Sequence, residues 1–203
     1  MMTGILARLD AALRWLMIAA ALVPLVACAS SATPRGMTAM PTDLADSAVT
    51  ADLEDTVAIG VVSGGEDTNP LWTSEVGNED FKQALRDSLK GMKLYADLPG
   101  SRYLLDVHLV NLDQPLMSFD TTVTASVKYL LSERATKKAV LDELVVAKHT
   151  TTMSESWYGV ERLKLANEGA IRDNIVEFIR RLSKHLREQP SQQTSTREPQ
   201  PRG

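Results

Sequence analysis

The chain has 203 residues, of which 44% are hydrophobic and 24% charged, values typical of a globular protein. Its net charge of −4 argues against a general nucleic-acid-binding surface or a polybasic membrane face. The single cysteine, Cys28, cannot form an internal disulfide bond. The length fits one domain of ordinary size with additional segments at its ends.

The first 27 residues are typical of a signal peptide. Residues 1–15 carry Arg8 and Arg14 against one acid, Asp10, and an uncharged run, LMIAAALVPLV, follows at 16–26. This run is shorter than the roughly 20 apolar residues of a membrane-spanning helix. A buried core helix is the alternative, but the run has no polar face, and Pro24 disfavours a continuous helix. The sequence therefore predicts an exported protein.

The run ends in Leu25-Val26-Ala27-Cys28, which resembles the lipobox of bacterial lipoproteins. The resemblance implies that Cys28 receives a diacylglycerol and becomes the first residue after cleavage, with residues 1–27 as a lipoprotein signal peptide. Two or more acyl chains make a durable membrane anchor, whereas one holds only marginally. Simple secretion, with cleavage after Ala27 or Ala29, is the alternative.

The residue after the cysteine bears on which membrane holds the anchor. Ala29 stands where an aspartate would retain an enteric-type lipoprotein in the inner membrane. The resemblance thus implies anchoring at the outer membrane, on its periplasmic side, with inner-membrane anchoring as the alternative.

The segments on either side of the predicted domain are poor in periodic apolar residues. Residues 28–55 are rich in Ala, Ser, Thr, Pro and Asp, which predicts a flexible tether. Residues 189–203 contain no apolar residue except proline, which predicts a disordered tail. The folded domain is expected to occupy residues 56–188.

The domain begins with a strand and a helix. TVAIGVVSGG at 56–65 is a short apolar run closed by two glycines, typical of a buried strand. NEDFKQALRDSLKGM at 78–92 predicts an amphipathic helix with Asn78 as its N-cap. Its apolar face is formed by side chains at helical spacing, namely Phe81, Leu85, Leu89 and Met92.

Three strands and a long helix follow. YLLDVHLVNL and TTVTASVKYLL alternate apolar and polar residues, which predicts half-buried antiparallel strands, and AVLDELVVAKHTTTMSES predicts the next strand of this meander. Residues 159–188 predict one helix with an apolar stripe of Ile171, Ile175, Phe178, Leu182 and Leu186. The order β-α-β-β-β-α predicts an α+β two-layer sandwich, with two helices on one face of a four-stranded, mainly antiparallel sheet.

The other face of this sheet is predicted to be polar and partner-facing. Its residues alternate with the apolar positions of the second and third strands: Asp106, His108, Thr122, Thr124, Ser126 and Lys128. A wet protein interface and a solvated surface both fit this composition.

The domain resembles the small envelope lipoproteins that assist transport or assembly at the outer membrane. The likeness rests on the lipobox, FKQALRDSLKGMKLY, YLLDVHLVNL, TTVTASVKYLL and ANEGAIRDNIVEFIRRL. Lipopolysaccharide-assembly lipoproteins are one branch, and auxiliary lipoproteins of ABC-type transport systems are another. The resemblance implies a non-catalytic accessory factor that binds an outer-membrane barrel or an ABC transport component and uses no cofactor.

Candidates for catalysis are sparse. His108, His149 and His185 are far apart in sequence and lack the spacing of metal ligands, so no metal site is predicted. Ser63 stands beside glycines without a G-x-S-x-G motif. Asp106 and His108 share a strand face, which suits a wet surface better than a catalytic dyad. A periplasmic enzyme acting on an envelope substrate remains the alternative function.

Two other groups of side chains have two interpretations each. Trp72, Trp157 and Tyr158 lie near predicted loops, where they either pack at the ends of the sandwich or line a ligand or lipid contact. The last turns of the final helix are basic, which suits either the helix dipole or an acidic lipid or protein partner. These basic residues are Arg180, Arg181, Lys184, His185 and Arg187.

Overall fold

The computed structural model describes residues 30–45, 54–67, 74–115 and 119–188. Cys28, Trp72, the predicted signal peptide and the predicted tail at 189–203 lie outside these residues. The described chain forms a four-stranded mixed sheet with three helices packed on one face, which confirms the predicted α+β fold. Among the described residues, no helix is both long enough and apolar enough to cross a membrane.

The sheet has the strand order β1-β2-β3-β4. Its strands are β1 (Val57–Ser63), β2 (Tyr103–Asp113), β3 (Thr121–Glu133) and β4 (Ala139–Thr151). β1 pairs with β2 in parallel, while the β2–β3 and β3–β4 pairs are antiparallel. Odd-numbered residues of β3 from Val123 to Leu131 are fully buried and form the centre of the core, as the alternation predicts.

The parallel pairing of β1 and β2 requires a crossover connection, which is supplied by the helix between these two strands. This helix, Asn78–Gly91, buries Phe81, Leu85 and Leu89 of the predicted apolar face, while the fourth predicted residue, Met92, is the C-cap and is partly buried. The predicted N-cap is wrong, because Gly77 occupies the cap position. The Asn78 side chain instead accepts a hydrogen bond of 2.8 Å from the Gly65 backbone N–H, joining the helix start to the loop after β1.

The long helix Gly159–Glu188 runs antiparallel to β4 across the same sheet face. Its Asp173 contacts His149, and its Arg181 contacts Glu143. The predicted stripe is confirmed for the four residues whose side chains are described, which are all fully buried: Ile171, Ile175, Phe178 and Leu182. Close packing at one crossing depends on Gly169, since a Cβ atom there would overlap the His149 ring.

The segment 30–45 corrects the predicted tether of residues 28–55. It forms a short helix, Pro34–Met37, and a 3-10 helix, Pro41–Leu44. Four of its apolar side chains are buried in the domain core: Ala32, Met37, Ala39 and Leu44. The prediction failed because it sought a sustained apolar period, whereas Met37 and Leu44 come from two single turns, and Ala32 and Ala39 come from the residues beside them.

We number the helices α1 (Pro34–Met37), α2 (Asn78–Gly91) and α3 (Gly159–Glu188). Hydrogen bonds fasten the N-terminal segment to both longer helices. Glu168 of α3 accepts bonds from the Thr33 backbone N–H (2.7 Å) and hydroxyl (2.8 Å). Ser88 of α2 accepts one from the Ala39 backbone N–H (2.9 Å). This part of the chain therefore belongs to the folded domain.

Candidate functional site

The six residues predicted for the partner-facing surface all lie on the sheet face opposite the helices. Strand register places His108 beside Lys128, Asn111 beside Ser126 and Asp113 beside Thr124. We call this the outer face and define it by those six residues and the β4 residues beside them: Asp106, His108, Thr122, Thr124, Ser126, Lys128, Asp142, Leu144, Val146, Lys148 and Thr150. Within the described part of the chain, no element covers it.

The outer face carries apolar side chains that the sequence analysis missed. Leu144 is 52% exposed and Val146 is 50% exposed, and they pair with Lys128 and Ser126 of β3. The signal was the unbroken run Leu144-Val145-Val146, because consecutive apolar residues in a strand point to both faces of a sheet.

Polar groups between these apolar side chains stay accessible to solvent. Lys128 Nζ lies 2.8 Å from Asp142 Oδ1, and each side chain is about half exposed. An ion pair at such exposure is worth only about 0–1 kcal/mol, so a partner with its own charges can readily replace it. Thr122 and Thr150 join hydroxyls across β3 and β4 at 2.8 Å. The outer face is thus mixed in character, as many protein interfaces are.

The structure brings Ser63 and His108 together at the β1 edge of this face. Ser63 Oγ lies 3.0 Å from His108 Nδ1. Asp106 faces the same way but does not complete a triad, since its carboxylate accepts a 2.7 Å bond from the Val61 backbone N–H. That N–H is available because β1 shifts register between Ile59 and Val62. Asp106 therefore supports the bulge.

A turn is required directly after Ser63. Gly64 has a φ of +85°, a conformation that residues with a Cβ rarely adopt. A Cβ at this position would also overlap the Leu109 carbonyl oxygen. The two glycines, Gly64 and Gly65, thus end the strand, as the sequence predicts.

Exposed aromatic side chains gather at one end of the domain. Trp157 is 81% exposed, Tyr158 80% and Phe119 79%, so none packs at the end of the sandwich. The turn before Trp157 and Tyr158 is held by Glu155, which accepts hydrogen bonds from the Thr152 N–H (2.8 Å) and hydroxyl (2.9 Å). These two bonds lower the pKa of the Glu155 carboxyl.

An open cleft of about 530 Å³ lies between the N-terminal segment and α3. Arg35, Arg172 and Arg180 line it together with Asp43 and Asp173. Arg180 donates to the Asp43 carbonyl oxygen at 3.0 Å. The acids offset the arginines, so the cleft does not stand out as an anion site.

Part of the basic end of α3 is used inside the domain. Arg181 donates to Glu177 at 2.8 Å and to Glu143 at 3.1 Å, and these carboxylates raise the pKa of its guanidinium. Across residues 30–45, 54–67, 74–115 and 119–188, no three His, Cys, Asp or Glu side chains gather as a metal site would require.

Comparison with known proteins gives a likeness of fold. The sequence matches no protein-family model and no curated protein sequence. A solved structure of a DUF330 family protein from Xanthomonas campestris is similar, with 8% identity, a TM-score of 0.50, and coverage of 68% of this chain and 91% of that one.

Two solved bacterial lipoproteins are also similar. The minor lipoprotein of Acinetobacter baumannii is 9% identical, with 66% of this chain and 95% of that one covered and a TM-score of 0.45. A lipoprotein of Neisseria meningitidis is 10% identical, with 64% and 99% covered and a TM-score of 0.40. At these identities the comparison concerns the fold alone.

Proposed function

We propose that this protein is a lipid-anchored lipoprotein of the bacterial envelope that acts by binding a membrane protein and catalyses no reaction. The observation that carries the proposal is the outer face, where Leu144 and Val146 are half exposed between charged and hydroxyl side chains. The predicted lipid at Cys28 would hold this face close to membrane-embedded partners, which raises its effective concentration for them.

The chemistry of the outer face fits a protein partner. The apolar side chains on β4 lose contact with water on binding, which is favourable by roughly 25 cal/mol per Å² of apolar area. On the neighbouring strand β3, Thr122, Thr124 and Lys128 supply hydrogen-bond donors and acceptors that fix orientation. Exposed apolar side chains grouped on one surface are typical of interaction sites.

The sequence resemblance supplies the kind of partner. Small envelope lipoproteins of this group assist outer-membrane assembly or envelope lipid and lipopolysaccharide transport. We therefore expect the partner to be an outer-membrane barrel or a component of an ABC-type transport system. The proposed location is the periplasmic side of the outer membrane.

Charge substitutions on the outer face test the proposal. Envelopes are crosslinked in cells that produce the wild-type chain, Leu144→Asp, or the double variant Thr124→Glu/Lys128→Glu, and the lipoprotein is then captured. Both variants should keep the wild-type melting temperature, because these side chains are not in the core. Both should lose a barrel or permease that the wild-type chain recovers.

Lys138→Glu is the matched control, since Lys138 is exposed in the hairpin between β3 and β4. This substitution makes the same charge change as Lys128→Glu, but at the end of the sheet. It should leave the recovery of the partner unchanged. Equal recovery of the partner by all variants would place the interface elsewhere on the domain.

A periplasmic enzyme is the second candidate, and the Ser63–His108 contact favours it. A serine hydroxyl at 3.0 Å from an imidazole nitrogen has the geometry of a nucleophile with its base. A triad would add a carboxylate on the other ring nitrogen, whereas Asp106 binds the backbone. Turnover of an envelope substrate by the purified protein, abolished by both Ser63→Ala and His108→Ala, would establish this function instead.

A further inference from the structure

The N-terminal segment runs along α3 in a defined direction. Thr33 is bound to Glu168, and the Asp43 carbonyl oxygen is bound to Arg180. These two helix positions are separated by about 18 Å along the helix axis. Going backward from Asp43 to Thr33, the segment therefore approaches the first turns of α3.

The start of the described chain is fixed at that end of the domain. The Ser74 hydroxyl donates to the Ser30 carbonyl oxygen at 2.8 Å. The Ser74 carbonyl oxygen in turn accepts bonds from Gln114, just after β2, at 3.1 Å and from Asn167 of α3 at 2.8 Å. Cys28 precedes Ser30 by two residues, which span at most about 7 Å of extended chain.

The exposed aromatic side chains lie at the same end. Phe119 precedes β3, while Trp157 and Tyr158 precede α3. β3 begins where β4 ends, because Thr121 pairs with Thr151. The Met153 N–H also donates to Asp120 at 3.3 Å, which links the two loops. We call this region, defined by Phe119, Trp157 and Tyr158, the aromatic end.

Tryptophan and tyrosine are enriched where proteins meet the interface of a lipid bilayer, because their rings are apolar and their tips are polar. Three aromatic side chains, each about four-fifths exposed, are not explained by packing within the described domain. Asp120, Glu155 and Glu161 lie in the same loops and first helical turn. The aromatic side chains predict contact with a bilayer by insertion. The acids predict that this contact has no preference for anionic lipids.

We propose that the aromatic end lies against the bilayer that holds the acyl chains of Cys28, with Trp157 and Tyr158 in its interfacial region. This inference rests on the lipid anchor of the proposed function. The strands then extend away from the membrane. The outer face is exposed next to the bilayer, where a membrane-embedded partner can reach it. The domain is held against the membrane instead of moving on a long tether.

Fluorescence of the processed protein, which begins at Cys28 and is purified from membranes, tests this orientation. The Trp72→Phe variant leaves Trp157 as the single tryptophan after residue 28. It is reconstituted into phosphatidylcholine vesicles with or without lipids brominated near the headgroup. Trp157 emission should shift to the blue on reconstitution and lose intensity in the brominated vesicles, and added phosphatidylglycerol should change neither effect.

A matched variant places the reporter at the opposite end of the sheet. Leu98 is 53% exposed, in the turn before β2. The triple variant Trp72→Phe/Trp157→Phe/Leu98→Trp should show unquenched emission typical of water. Equal quenching of both reporters, or of neither, would overturn the proposed orientation.

Intact mass of the same samples separates this inference from the proposed function. An acylated Cys28 with unquenched Trp157 overturns the membrane-facing aromatic end alone. A chain without an acyl group at Cys28 overturns the anchor and, with it, the orientation.

Discussion

Phe178 of α3 stacks on Tyr129 of β3, with ring centroids 4.0 Å apart and ring planes inclined by 10°. Both side chains are fully buried. The Tyr129 hydroxyl donates to Asn174 Oδ1 at 2.9 Å, and Asn174 Nδ2 donates to the backbone oxygens of Ala125 (3.0 Å) and Val145 (2.9 Å). One helix is thus joined to two strands by a ring contact and a satisfied polar network.

Phe178→Ala should lower the free energy of unfolding by about 3–5 kcal/mol, because it removes the stacked ring and leaves a cavity beside Tyr129. Urea denaturation measures the change. Trp157→Ala is the control, since that ring is 81% exposed and its loss should alter stability by about 0.5 kcal/mol or less. A loss below about 1 kcal/mol for Phe178→Ala would mean that α3 packs through another face.

Tyr129→Phe should change how stability depends on pH. Burial raises the pKa of the Tyr129 hydroxyl well above its usual range. The folded chain therefore keeps this proton at a pH where the unfolded chain, with a tyrosine pKa of about 10, releases it. The wild-type free energy of unfolding should fall as pH rises above about 10, by up to about 1.4 kcal/mol per unit from this group.

The Phe variant lacks that component, so its stability should fall less steeply between about pH 10 and 11. At neutral pH it should be less stable by roughly 1 kcal/mol, because Asn174 Oδ1 loses its partner. Parallel slopes for the two proteins would show that Tyr129 ionises equally in both states.

Met37→Ala tests whether the N-terminal segment belongs to the core. Met37 is fully buried, whereas Met40 is 50% exposed. Truncating the buried methionine should cost about 2–5 kcal/mol, and Met40→Ala should cost far less. Chemical denaturation of the pair compares the same chemical change three residues apart. Small and equal losses of unfolding free energy for the two variants would instead support the flexible tether predicted from the sequence.

Much of the domain follows from its sequence. Alternation in β3 fixes which face of Val123 to Leu131 is buried, and the helical stripe of Phe178 fixes the packed side of α3. These signals are local, so a single sequence contains them. The placement of Asp106 and His108 on the uncovered face follows from the same alternation.

Other features depend on contacts between distant parts of the chain. The parallel pairing of β1 with β2 and the burial of Met37 have no local periodic signal. The 3.0 Å contact between Ser63 and His108 arises only when the two strands pair in this register. The exposed Leu144 was overlooked because β4 was identified as a strand without assigning its faces.

Cys28→Ala tests the anchor on which the proposed location rests. The resemblance of Leu25-Val26-Ala27-Cys28 to a lipobox implies a thioether-linked diacylglycerol, and an alanine side chain has no sulfur to carry it. The variant should remain unprocessed or be released, while wild-type chains stay with the membrane after washing with high salt.

Intact mass should show acylation at Cys28 in the wild-type protein only. We expect the variant to keep the wild-type melting temperature. A soluble, unmodified wild-type chain that begins at Cys28 or Ser30 would instead indicate simple secretion, and the aromatic end would then need a ligand other than the anchoring membrane.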